Sequence, residues 1–195
     1  YTPDFPQSLS ATAGDFDGDG RDELATIQVA NDSTTYHGWA ACIASYDTVG
    51  SDALASTPIG TNSTECAGHN GLTDGGSPGA SPMRMVAGRF FSDAGGATGA
   101  EGLVLAYGGV GSDHETLHIY VQAFVLNVAS HRWQQVGPLQ VISGFSNTGL
   151  YIGLAAGDFD GNGTDEVAVG WYNNASDDHH YYLGVYSWSA DGSTV

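Results

Sequence analysis

Positive charge is nearly missing from this chain of 195 residues: four Lys and Arg stand against 22 Asp and Glu, a formal net charge of −18. So negative a surface repels nucleic acid and anionic lipid, and neither is an expected partner. Long apolar runs are missing too. No stretch approaches the ~20 apolar residues that span a bilayer, so membrane insertion is not expected. The amino terminus, Tyr1-Thr2-Pro3-Asp4, has no signal-peptide pattern, which reads as a mature or excised chain. Catalytic signatures are lacking as well: there is no Gly-x-Ser-x-Gly elbow, no His-Glu-x-x-His, no phosphate loop and no Cys-x-x-Cys. A carboxylate pair assembled from distant loops would leave no such trace. The expectation is nonetheless a protein that is not an enzyme.

What is abundant is glycine, at 29 residues, among short β-branched and aromatic runs. That composition favours strands and turns. One stretch occurs twice. Residues 14–24 read Gly-Asp-Phe-Asp-Gly-Asp-Gly-Arg-Asp-Glu-Leu, and residues 157–167 read Gly-Asp-Phe-Asp-Gly-Asn-Gly-Thr-Asp-Glu-Val. In the first copy Asp15, Asp17 and Asp19 alternate with other residues, while Gly18 and Gly20 permit the tight backbone that turns three carboxylates toward one point. The Arg21 backbone carbonyl and Glu23 complete an oxygen cage of the kind calcium takes. The second copy offers Asp158, Asp160, Asn162, the Thr164 backbone carbonyl and Glu166. Asn162 replaces a carboxylate, so the second site is expected to be the weaker. Neither loop contains Cys or His, which disfavours zinc. An EF-hand places its Glu at the twelfth loop position between helices, whereas strand-like runs, 24–29 and 167–172, follow here. A solvated acidic turn that binds nothing is the plain alternative for one copy; two copies in register argue against it.

This long pattern resembles the FG-GAP and VCBS repeats of integrin-α-like β-propellers. The resemblance implies an all-β fold of four-stranded blades in which the calcium loop joins the first two strands. It implies two Ca2+ ions, which bring the net charge only to −14 (−18 + 4). Function varies widely across that family, from adhesion to lectins to modules of secreted enzymes, so the ligand stays open.

A third, degenerate copy lies between the two. Met85-Val86-Ala87-Gly88-Arg89-Phe90-Phe91 matches 154–160, and Gly102-Leu103-Val104-Leu105-Ala106-Tyr107 matches the strand after each loop. Arg89 replaces the first carboxylate, so no calcium is expected there; its guanidinium is a candidate to stand in for the ion by bonding loop carbonyls or Asp93. Asp15 to Arg89 spans 74 residues (89 − 15) and Arg89 to Asp158 spans 69 (158 − 89). A unit of this size suits a four-stranded blade. The expected blades are 8–60, 82–143 and 150–195, the last lacking a fourth strand. Expected strands run 10–16, 23–29, 37–47 and 53–59; then 85–91, 103–107, 116–127 and 133–142; then 151–159, 166–172 and 180–188. Propellers close with ~4–8 blades, so three imply a larger ring, a ring completed by other copies, or an open arc. Exposed sheet edges demand a partner, so self-association or additional blades are expected.

If calcium is drawn from a secreted, extracellular setting, Cys42 and Cys66 read as a disulfide, the alternative being two reduced buried thiols. In a eukaryote, Asn31, Asn62 and Asn174 are candidate glycosylation sites in exposed turns; the sequon at Asn162 is expected to be blocked by the metal. His114 and His118, near Asp113 and Glu115, and His179 and His180, after Asp177 and Asp178, are candidates for a second metal or an acid–base pair. Solvated turns are the plainer reading. Most aromatics on the later strands are expected to pack between blades. Trp39, Trp133 and Tyr182 are nominated as sugar-stacking platforms. Three functions follow: recognition or adhesion to a glycan or extracellular protein surface, a structural subunit of an extracellular fibre or coat, or a non-catalytic accessory region of a secreted enzyme.

Overall fold

The computed structural model describes residues 8–32, 38–46, 58–61, 83–91, 99–110, 117–130, 132–145, 151–175 and 178–189. Every regular element among them is a strand. β1 (Ser8–Gly14), β2 (Glu23–Asp32), β3 (Gly38–Tyr46) and β4 (Pro58–Thr61) form the first sheet. β5 (Met83–Gly88), β6 (Gly102–Val110), β7 (Leu117–Asn127) and β8 (Arg132–Phe145) form the second, and β9 (Tyr151–Gly157), β10 (Glu166–Ala175) and β11 (Asp178–Tyr186) the third. Each strand pairs antiparallel with its successor, so each sheet is a meander. Such sheets need only local turns, which the glycine-rich sequence supplies.

The sheets stack in chain order. The first strands adjoin: β1 lies beside β5, and β5 beside β9. Alternation along each strand then sends one side-chain set to the preceding sheet and the other to the following one. In β6, Leu103, Leu105 and Tyr107 join Phe16, Ala25 and Ile27 of the first sheet in one core. Val104 and Ala106, on the opposite face, join Ile152, Val167 and Val169 of the third in another. β6 is therefore buried on both faces, which is why it reads as a continuous apolar run. Each fully buried Leu or Val there contributes about 1.5–3 kcal/mol.

All three first strands end two or three residues earlier than the sequence suggests, at Gly14, Gly88 and Gly157 rather than at Phe16, Phe91 and Phe159. The amides just beyond these ends turn to carboxylates: the Phe16 and Phe159 N–H groups bond Glu23 and Glu166, and the Arg89 N–H bonds Asp165. Two of the three glycines are also crowded at the seams. A Cβ on Gly14 would meet Ala87 Cβ at 2.8 Å and the Glu101 carboxylate, and one on Gly88 would meet Asp165 Oδ2 at 2.8 Å. The chain must be bare there and then turn away. Asn31 and Asn174, expected in turns, instead belong to β2 and β10 near their ends. β4 covers Pro58–Thr61; residues 53–57 of the strand expected at 53–59 lie outside the described residues. In β8, the register shifts opposite Val121 and Ala123, near Gly137, whose φ is 69°. Pro138 is tolerated beside it because β8 is an edge strand of its sheet. Asn62, Cys66 and Asp93 lie outside the described residues, and with Cys66 the disulfide.

Candidate metal centres

Two loops reverse the chain between first and second strands, closing on the paired residues Gly14↔Glu23 and Gly157↔Glu166. Reversal this tight needs positive φ, supplied at Gly18 (79°) and Gly20 (90°) and at Gly161 (76°) and Gly163 (90°). The aspartates then organise the loop from inside. Asp15 accepts from the Gly18 N–H at 2.8 Å and the Gly20 N–H at 3.0 Å; Asp17 accepts from Asp19 N–H, and Asp19 from Arg21 N–H. In the second loop Asp158 accepts from Asn162 and Gly163, Asp160 from Asn162, and Asn162 from Thr164. The two loops share three of these bonds, and differ in that Asp15 accepts from Gly18 where Asp158 accepts from Asn162.

Each cage is closed by a buried glutamate at the start of the second strand. Glu23 Oε2 accepts from the Phe16 N–H at 2.8 Å, and Glu166 Oε2 from the Phe159 N–H at 2.8 Å. One oxygen from each of Asp15, Asp17, Asp19 and Glu23 lies within 4.8 Å of the others, and so do those of Asp158, Asp160 and Glu166. These groups can hold a metal ion. Burial lifts the Glu23 pKa to about 7, Asp17 and Asp15 raise it further, and the N–H groups of Phe16 and Asp17 pull the other way. Glu166 is 4 % exposed, and its Oε1 has no hydrogen-bond partner. A bare, buried carboxylate oxygen facing two other carboxylates is a costly arrangement that a cation relieves. The donor set is all oxygen, which suits a hard cation.

Asn162 differs from its counterpart Asp19. Its Nδ2 donates to Asp160 Oδ2 at 2.9 Å, and its Oδ1 accepts from both the N–H and the hydroxyl of Thr164. The second cage carries one charge fewer, and Asn162 ties the Asp160 carboxylate to Thr164.

The loops also fasten the sheets to one another, which sequence reasoning missed. The Glu101 N–H donates to the Asp15 carbonyl at 2.7 Å. One seam further on, the Asp165 N–H donates to the Arg89 carbonyl at 3.0 Å, and Asp165 Oδ2 accepts from the Arg89 N–H at 2.8 Å. Glu101 and Asp165 hold the same place, immediately before the second strand of their sheets, as does Asp22 in the first. An acidic residue recurring at that place was the available signal. Arg89 acts here through its backbone, and its side chain is exposed. The pKa of Glu101 is raised by burial first and by Asp22 next, with the Arg89 charge opposing.

The aromatic nominations divide. Trp133 is not a sugar platform: it is buried, edge-on to Phe16 at 5.2 Å and 74°. Tyr182 is 40 % exposed and lies parallel to Trp171 at 5.6 Å and 11°. Trp39 pairs through its backbone with Asn31, and its side chain lies outside the described residues. Among the candidate histidines, His118 lies on β7 beside Tyr120 and His180 on β11 beside Tyr182, in different sheets. His114, Asp113, Glu115 and Asp177 lie outside the described residues.

Compared with known family models, curated proteins and solved structures, the chain matches none.

Proposed function

We propose that the protein is a secreted, calcium-stabilised recognition module built of propeller-type blades, which binds a glycan or an extracellular protein surface. The observation that carries the metal part of this reading is the bare Oε1 of buried Glu166, in a cage whose glutamate caps the Phe159 N–H as Glu23 caps that of Phe16. Asp15, Asp17, Asp19, Glu23 and the Arg21 carbonyl would hold one ion; Asp158, Asp160, Asn162, Glu166 and the Thr164 carbonyl would hold the other. Calcium there neutralises crowded carboxylates and locks the turn between first and second strands. Its part is structural. Flexible oxygen cages exposed at loop tips match the weak sites that millimolar extracellular calcium fills, which supports secretion.

Tyr182, resting on Trp171, remains the aromatic surface that supports a sugar ligand. The test is glycan-array binding in calcium and in chelator, with folding checked in both. Selective, calcium-dependent binding supports the proposal. Absence of binding to glycans and to extracellular matrix proteins, by folded protein loaded with calcium, overturns the recognition part.

A further inference from the structure

We propose that the third sheet docks, through the face it turns away from the second, onto the first sheet of a second copy of this chain. The proposal rests on the three sheets being repeats of one design and not on the metal sites.

Three equivalent positions carry it. Phe16, Phe90 and Phe159 each stand two residues beyond the end of a first strand. Phe16 is 0 % exposed beneath Trp133 of the following sheet, and Phe90 is 1 % exposed against Trp188 of the following sheet, 5.8 Å away. Phe159 is 55 % exposed. The glycines two residues earlier tell the same story. Gly14 and Gly88 lie beneath Glu101 and Asp165 of their following sheets, which leave no room for a Cβ. The three atoms nearest a Cβ on Gly157 all belong to the ring of its own Phe159, the first at 3.2 Å. The niche that receives a following sheet's acidic residue is thus present and open at the third sheet.

The rest of that face is apolar. Tyr151, Tyr172 and Tyr181 line up across the three strands by register, and Leu183 and Val185 extend the patch. Leu183 is 71 % exposed. The corresponding faces of the first and second sheets lie within the two cores. An apolar face of this kind on an otherwise acidic protein marks an interface.

The chain itself carries a surface of the matching kind. The face of the first sheet directed away from the second presents Ala11, Ala13, Leu24 and Thr26, paired across β1 and β2. Ala11 and Ala13 are exposed and small, so large side chains can seat on them. Asp22 stands at the place in the first sheet that Glu101 and Asp165 hold in theirs. Apart from Asp22, none of the residues named on either face bears a charge. The contact is head to tail. It closes into a two-copy ring of six sheets if the rotation per sheet permits, and otherwise extends.

The test is sedimentation velocity and light scattering on the whole chain in calcium, over a wide range of protein concentration. The monomer is 20.1 kDa. A particle of twice that mass, or one growing with concentration, is expected; a monomer at every concentration overturns the proposal. Leu183→Asp and Ala13→Arg change opposite faces at exposed positions, and circular dichroism verifies their folding. Each variant alone should lose assembly, and an equimolar mixture should regain a pair, since one intact face of each kind remains. Assembly unaffected by either variant, or no pairing in the mixture, overturns the head-to-tail contact. Calcium stoichiometry of the same samples tests the metal reading separately.

Discussion

Replacing Asp15 by Ala separates the two jobs of its carboxylate. In the absence of metal the change removes the bonds from Gly18 and Gly20, at 2.8 and 3.0 Å. Each is exposed and contributes about 1 kcal/mol, so about 2 kcal/mol is lost. The same change removes three like-charge contacts, with Asp17, Asp19 and Glu23, all within 4.8 Å. At that distance in water each costs about 1 kcal/mol, reduced somewhat by physiological salt, so about 2 kcal/mol is regained. The two cancel to within about 1 kcal/mol. Melting temperature in chelator should therefore move by no more than about 4 °C for a chain of this size. Calcium changes the balance. At a free concentration a hundredfold above its dissociation constant, an ion stabilises by about 2.7 kcal/mol, and losing that at one site lowers melting by about 5–11 °C. The assay is thermal unfolding by circular dichroism with and without calcium, together with metal stoichiometry by titration calorimetry. A variant that still binds two ions, or that gains as much from calcium as the parent, refutes the first cage.

Glu23, raised to about 7 by burial and by Asp17 and Asp15, fixes a pH dependence. Its folded value lies above the ordinary 4.5, so in chelator its contribution to stability is present below pH ~4.5 and is lost as pH rises through about 7. Calcium requires the ionised form, so the gap between calcium and chelator melting curves should widen from pH 5 to 8; a constant gap would count against Glu23 as a ligand. Phe16→Ala should cost about 3–5 kcal/mol in denaturant unfolding, because the ring is enclosed against Trp133, whereas Phe159→Ala in dilute monomer should cost under about 1 kcal/mol. Equal losses would mean that the two positions are not set apart by a covering sheet. Gly88→Ala places a methyl 2.8 Å from Asp165 Oδ2 and should loosen the second seam, seen as faster amide exchange at Asp165. Unchanged exchange there would show that the seam tolerates the methyl.

Much of the fold was legible because the signal is local. Apolar runs and glycine punctuation place the strands seen among the described residues, β4 only in part, and the paired Asp-x-Asp-x-Asp/Asn runs place both acidic clusters. What one sequence cannot display is which residues of separate repeats meet. Glu101 reads as an ordinary surface acid until it is seen against Asp15, and Arg89, legible only as a substitute cation, also holds the seam through its backbone. Trp133 has the same strand signature whether its indole faces water or Phe16, so its burial was invisible. Strand ends shifted for a related reason. Phe16, Phe90 and Phe159 look like strand residues, but the ladder gives out at Gly14, Gly88 and Gly157, beyond which amides turn to the carboxylates of Glu23, Asp165 and Glu166. The difference in exposure among the three Phe rings is likewise a property of the stack and not of their identical local motifs.

The most direct test of the calcium reading is a crystal structure of the protein grown in calcium, with anomalous scattering used to locate the ions. Two ions per chain are expected. One should sit ~2.3–2.6 Å from oxygens of Asp15, Asp17, Asp19 and Glu23, and the other at the same range from Asp158, Asp160, Asn162 and Glu166. Loops without ions in that crystal, or ions whose ligands omit Glu23 and Glu166, would contradict it.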